Sequence, residues 1–186
     1  MKILLYAAGG HGRSVYEIIK NLNLNVVAYA ELTKVSWLKN TTLIKDLDIE
    51  TLPSNVKVAN GLGGVNPKNL IKRLKIINKI SKNREVIRLI DKTAFVSNEC
   101  IIEEGCVIMP GAIIRAGALI KKHSIINSGA IIEHDVTIGP GSHIAPGATL
   151  LGSVECGNCC TIGTRSIITQ KNRLASNTFI RAGKVI

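Results

Sequence analysis

Residues 126–144 read Ile126-Asn127-Ser128-Gly129-Ala130-Ile131-Ile132-Glu133-His134-Asp135-Val136-Thr137-Ile138-Gly139-Pro140-Gly141-Ser142-His143-Ile144, and every sixth residue is isoleucine. The beat runs outward in both directions without a break. Ile90, Val96, Ile102, Ile108, Ile114 and Ile120 precede it; Leu150, Cys156, Ile162, Ile168, Leu174, Ile180 and Ile186 follow. Four residues after each comes a mostly small side chain: Ala94, Cys100, Cys106, Ala112, Ala118, Ser124, Ala130, Val136, Ser142, Ala148, Val154, Cys160 and Ser166. A period of six is neither the 3.6 of an amphipathic helix nor the 2 of a half-buried strand. It predicts a parallel β-helix in which each hexad is one short strand plus its turn. One large and one small inward side chain per hexad can fill a narrow interior.

The same beat sorts the five cysteines. Cys156 takes a large inward slot, Cys100, Cys106 and Cys160 take small ones, and only Cys159 falls outside. The spacing of Cys156, Cys159 and Cys160 suggests a metal or redox site on its face, but the hexad needs two of the three as core, where free cysteine behaves as a small hydrophobe. No metal site is expected. Free thiols and the lack of a signal-like start predict a reducing cytoplasm, and no stretch is apolar enough to span a membrane.

Charge divides the chain near Ile90. Residues 1–89 carry +9 of the total +11, most of it between Lys57 and Arg88. Lys68, Lys72, Arg73, Lys75 and Lys79 alternate with Leu70, Ile71, Leu74, Ile76, Ile77 and Ile80 at helical spacing, which reads as a solvated helix face. Aromatic residues make up 3% of the chain, too few for base stacking, so no nucleic-acid partner is expected. A positive field suits small anionic substrates equally well.

Residues 1–89 open as a strand–turn–helix–strand unit: Lys2 to Tyr6, then Gly9-Gly10-His11-Gly12, then a helix over 13–21, then Asn25 to Ala30. Glycines between a strand and a helix let backbone N–H groups approach a phosphate. Glu31 ends the second strand, where an acid can meet a ribose or a sugar. Val56 to Ala59, Asn60-Gly61-Leu62-Gly63-Gly64 and a basic helix from about Pro67 repeat the pattern. The prediction is a Rossmann-like α/β domain over residues 1–89, with a three- or four-stranded parallel sheet that binds a phosphorylated ligand at its carboxyl edge. Glycines that merely close tight turns are the competing reading. Residues 90–186 form the β-helix domain.

On the outside of that β-helix, His134 and Asp135 follow Glu133 at positions that point away from the core, and His143 lies nine residues on. A histidine oriented by neighbouring carboxylates suits a general base.

Ala7-Ala8-Gly9-Gly10-His11-Gly12-Arg13, the hexads, and Asn127 to Asp135 together resemble the bacterial sugar O-/N-acyltransferases of the hexapeptide superfamily. That family includes UDP-4-amino-sugar N-acetyltransferases, perosamine N-acetyltransferases and sialic acid O-acetyltransferases. The resemblance implies a left-handed coil, whereas general crossover rules favour the right hand. It also implies a homotrimer, acetyl-CoA bound between neighbouring β-helices, and a nucleotide sugar held by the first domain. Position by position, it makes His134 the general base and Asp135 its orienting acid. His143 becomes a second histidine facing the thioester, Gly152 a backbone donor to the acetyl carbonyl, and Gly163 and Ala182 part of the pantetheine track. Gly10, His11 and Gly12 match the nucleotide-sugar turn, and Gly61 the second glycine turn.

The expected activity is acetyl-CoA-dependent N-acetylation of a nucleotide-linked 4-amino-4,6-dideoxy sugar in bacterial surface-glycan biosynthesis, by direct transfer without an acyl-enzyme. Sialic acid O-acetylation and a catalytically idle, nucleotide-sugar-binding trimer are the alternatives. Three departures from the family pattern stand out. Tyr29-Ala30-Glu31 replaces paired aspartates, the second glycine turn is longer, and family members continue past the equivalent of Ile186 with a further turn and a Gly-Val-Pro-Ala tail. The inward slots also turn polar at Asn172, Thr178 and Lys184, so the last coil is expected either to be covered by trimer packing or to belong to a shortened chain that binds acetyl-CoA less well.

Overall fold

The computed structural model describes residues 1–186, apart from the side chain of residue 47. Its second half is a left-handed parallel β-helix. Sixteen two-residue strands, β5 (Leu89–Ile90) to β20 (Phe179–Ile180), fall into three parallel sheets that form the faces of a triangular prism. Partners lie 18 residues apart, as in Ile113, Ile131 and Thr149, so three hexads make one coil. In each strand the second residue points inward. The large slots Ile114, Ile120, Ile126, Ile132, Ile138, Ile144 and Leu150 and the small slots Ala112, Ala118, Ala130 and Ala148 are essentially inaccessible to solvent. The small slots held by serine are satisfied internally: Ser124 Oγ donates to the Gly139 carbonyl and Ser142 Oγ to that of Gly157.

A chain that turns every six residues must reverse direction cheaply. One residue per hexad, from Gly105 to Gly183, sits in the left-handed region with φ between +52° and +72°. Glycine fills half of these corners, and His123, Asp135, Ser153, Cys159, Arg165, Lys171 and Asn177 fill the rest, each at the modest cost of that conformation. Near the end, Asn172 Nδ2 donates to the Thr169 carbonyl and Thr178 Oγ1 to that of Ala175, so the polar inward slots satisfy corner carbonyls.

The first half is a four-stranded parallel sheet in the order β3-β2-β1-β4: β1 (Lys2–Tyr6), β2 (Asn25–Ala30), β3 (Thr42–Ile44) and β4 (Val56–Asn60). Helix α1 (Gly10–Asn21) covers one side and α2 (Pro67–Ser81) the other. Val15, Ile18 and Ile19 of α1 share a core with Ile3 and Leu5 of the sheet and with Leu89, Val107 and Met109 of the six-stranded face of the coil. The sheet domain is thereby seated on that one face. Helix α1 begins three residues before the expected start, so Gly10, His11 and Gly12 form its first turn rather than a loop. The reversal is made instead at Ala7, a non-glycine residue held at φ +68°. Strand β3 lacks the apolar run that would have marked it. Arg73 corrects the reading of α2 as wholly solvated. Lys68, Lys72, Lys75 and Lys79 are exposed, but Arg73 is 2% exposed and packs between the helix and the coil.

Candidate active site

The triangular section fixes how far apart the candidate residues lie. The six-stranded face, on which the sheet domain sits, is the first; the chain then turns to a second face containing β12 (Ile131–Ile132) and a third containing β13 (Thr137–Ile138). His134 and Asp135 lie at the corner between the second and third faces, opposite the sheet domain.

There His134 Nδ1 lies 2.9 Å from Asp135 Oδ2, and both side chains stand in solvent. A carboxylate only accepts, so Nδ1 carries the proton and Nε2 presents a lone pair. Asp135 is in place because its backbone adopts φ +59° at the corner while Gly117, one coil below, has no side chain to collide with its carboxylate. Gly152, one coil above, does the same for the base. A β-carbon there would lie 2.6 Å from both Cε1 and Nε2 of His134. The Gly152 N–H has no acceptor among the described residues. A proton acceptor and an unengaged N–H donor therefore lie side by side, the two groups an acyl transfer needs. A shallow hollow of about 270 Å³ beside them is lined by Phe95, Ser97, Arg115, Ala116, Glu133 and His134.

The carboxyl edge of the sheet forms a second, larger site. A cavity of about 560 Å³ is lined by Tyr6, Ala7, Glu31, Leu32, Lys45, Asp46 and Lys72, among others. Glu31 accepts from the Ala8 N–H at 3.0 Å and from the Leu32 N–H at 2.9 Å, so its carboxylate ties the strained Ala7 turn to the end of β2. Tyr6 shares this wall with Asp46; burial first, and then the neighbouring carboxylates of Asp46 and Glu31, hold its phenol well above the ordinary range. Gly9 caps α1 without a side-chain bond, and Gly9 and Gly10 are open to solvent. The first N–H groups of the helix are thus exposed for an anion. Gly12 and Gly61 play a different part. A side chain at either would strike the Ala7 carbonyl, so they let the two glycine turns touch. His11 is driven down to a pKa of about 4, first by burial and then by Arg73 and His143.

His143 lies on the first face, under the second glycine turn. Its Nδ1 is 2.8 Å from the Gly64 carbonyl and its Nε2 3.0 Å from Asn127 Nδ2. Gly163 and Ala182 stack on each other at the corner between the first and second faces. A single chain therefore brings together His134, Asp135 and Gly152, and separately Gly10, His11, Gly12, Glu31 and Gly61. It keeps those groups, and the Gly163–Ala182 corner, apart. Reading the sequence missed Tyr6, Lys45, Asp46 and Lys72 on the cavity wall, Asn127, and Arg73. For Arg73 a signal existed: it falls on the Leu70–Ile77 stripe, which faces inward. Cys156 and Cys160 point into the coil, and burial pushes the Cys106 thiol up to about 12, so these cysteines are inert toward substrate.

Residues 117–152 match the bacterial transferase hexapeptide (six repeats) family model. Along its whole length the chain superposes on the acetyltransferase domain of PglB from Neisseria gonorrhoeae solved with acetyl coenzyme A, covering 90% of that chain at 28% identity and a TM-score of 0.88. It also superposes, over its whole length and 88% of the other chain, on PerB from Caulobacter crescentus in complex with CoA and GDP-perosamine, at 23% identity and a TM-score of 0.86. A third likeness, to WeeI from Acinetobacter baumannii, covers 96% of that chain at 19% identity and a TM-score of 0.76. No curated protein sequence matches the chain.

Proposed function

We propose that this chain, whose repeats match the hexapeptide family model and whose whole fold superposes on that of an acetyltransferase domain, is a left-handed β-helix acetyltransferase that transfers the acetyl group of acetyl-CoA to a nucleotide-linked 4-amino-4,6-dideoxy sugar of bacterial surface glycans. The observation that carries this reading is the His134–Asp135 pair packed against Gly152. The bound ligands of two similar structures, acetyl coenzyme A in one and CoA with GDP-perosamine in the other, supply the substrate classes.

Acetyl-CoA supplies an activated acyl group as its thioester; Gly152, Gly163 and Ala182 would hold it. His134 Nε2 accepts the proton that the sugar amine loses as its nitrogen bonds to the acyl carbon, and returns it to the sulfur as the carbon–sulfur bond breaks. Asp135 keeps the Nδ1–H tautomer and steadies the imidazolium. The Gly152 N–H donates to the oxygen on which charge gathers. Gly10, His11, Gly12, Glu31 and Gly61 shape the nucleotide-sugar site in residues 1–89, while residues 90–186 carry the transfer chemistry. Because His134 lies opposite the face that holds the sheet domain, the sugar bound by one copy meets the His134 of another. This placement supports a homotrimer with the site between copies. The exposed apolar residues Phe95 and Ile167, with half-buried Ile113 and Ile131 between them on the second face, are what such packing would cover. Among the described residues no helix is long and apolar enough to cross a membrane, and a cytoplasmic location fits both substrates.

The test is thiol release from acetyl-CoA with a UDP-4-amino-4,6-dideoxy sugar, a GDP-4-amino sugar, and free or CMP-linked sialic acid as acceptors. Turnover with an amino sugar that vanishes in an intact, trimeric His134→Ala variant is expected. Turnover that survives the substitution, or appears only with sialic acid, would sink the reading.

A further inference from the structure

The boundary between the sheet domain and the coil is apolar along α1 but polar along α2. Arg73 is fully buried there, and among the described residues no carboxylate pairs with it. One nitrogen, Nη2, donates to the carbonyls of His123 at 2.9 Å, Gly141 at 2.7 Å and Ser142 at 3.3 Å. Those carbonyls belong to two successive coils at the corner between the third and first faces. A buried guanidinium without a counter-ion is expensive, and an apolar side chain of similar volume would serve packing at least as well. The residue after this corner is His143. A carbonyl only accepts, so its Nδ1–H donates to Gly64, and Nε2 accepts from Asn127. Burial, with Arg73 adding to it, keeps this imidazole neutral, down to about 4.

The segment between these two attachments runs from the second glycine turn into α2. It is the segment that walls the cavities on the ligand side. Gly64 and Arg73 border one of about 420 Å³, and Lys72 and Leu62 border the 560 Å³ cavity. Gly63 also rests on His11 of the first glycine turn, 3.1 Å from a β-carbon built there to the His11 Cβ. Both substrate turns are therefore referenced to the coil through one short stretch fastened at each end.

We propose that Arg73 and His143 form a two-point latch, and that both are positioning residues which set the height of the nucleotide-sugar turns on the coil. His143 acts through Gly64, and Arg73 through α2 and the corner carbonyls. The proposal rests on the sugar-transfer reading for its consequence, but not for its geometry.

Two measurements separate the two. Amide hydrogen exchange over residues 61–66 needs no substrate. It is expected to accelerate about ten-fold or more in Arg73→Met and in His143→Ala, with β1 and β4 unchanged. His143→Asn, whose amide can reproduce the Nδ1–H donor, is expected to restore protection. Steady-state kinetics are then expected to show KM for the nucleotide sugar raised about ten-fold in Arg73→Met and His143→Ala and recovered in His143→Asn, with KM for acetyl-CoA in Arg73→Met within two-fold of the parent. Unchanged exchange in both variants overturns the latch whatever the substrate is. A KM change confined to acetyl-CoA overturns it too, and makes His143 a thioester contact instead. Accelerated exchange in a protein that turns over no amino sugar would leave the latch standing and count against the proposed reaction.

Discussion

At the scale of single residues, the proposed catalytic corner depends on what is missing as much as on what is present. His134 is fully exposed to solvent on one side and rests on Gly152 on the other, so the imidazole has a fixed seat only while position 152 lacks a β-carbon. Gly152→Ala is expected to lower kcat by about a hundred-fold or more, the scale of losing an aligned base or donor, with little change in thermal stability at so exposed a corner. A melting curve alongside single-turnover rates checks both halves. The buried histidines make an opposite prediction, about stability. Burial holds His11, His123 and His143 at about 4 against 6.5 unfolded. A histidine depressed in this way stabilises the fold fully above pH 6.5, and the contribution drains as pH falls toward 4, because the unfolded chain takes up the proton first. For His123, with neither ring nitrogen partnered, this is on the order of 3 kcal/mol. Denaturant midpoints are expected to fall steeply between pH 6.5 and 4, and less steeply in His123→Asn, since asparagine tolerates the left-handed backbone there. At this scale the sequence was legible where a rule of spacing applied. The outward placement of His134 and Asp135 followed from the hexad. The burial of Arg73 did not follow from charge, because a basic residue on an amphipathic stripe is ordinarily a solvated one.

At the scale of elements, the two glycine turns work as a pair. Gly12 and Gly61 face each other across the Ala7 carbonyl, and neither motif alone tells of the other. Periodicity marks β1, β2, β4 and α2 because each carries its own apolar pattern. The meeting of two turns 49 residues apart was invisible, since it arises from the parallel pairing of β1 with both β2 and β4. The first turn was also read three residues too long: Gly10 and Gly12 look like loop residues but are needed inside α1, one to expose the helix start and the other to let Gly61 approach. Gly61→Ala and Gly12→Ala are each expected to cost about 2 kcal/mol or more, as for an overpacked contact against backbone, and to abolish nucleotide-sugar binding by calorimetry. Acetyl-CoA binding is expected to survive in both, because the coil is not involved.

At the scale of the whole molecule, the sheet domain and the His134 corner lie on opposite sides of one prism. Two defective chains should therefore rescue each other. Mixed trimers of His134→Ala with Gly61→Ala subunits are expected to recover part of the parent turnover, while either variant alone shows almost none. Activity that stays absent after subunit exchange, confirmed by mass, would place the whole site within one copy.

The strict 18-residue pairing of the coil has one more consequence. Position along the prism is counted in sixes for burial but in eighteens for direction. Six extra residues of proper pattern placed between Asp135 and His143 would leave every inward slot filled and the fold intact. They would nonetheless carry His143 and everything after it round by one face, away from Gly64, and put a different corner above His134. The molecule thus tolerates one kind of frameshift in its stability and none in its chemistry, and a well-folded, inactive protein is the expected product.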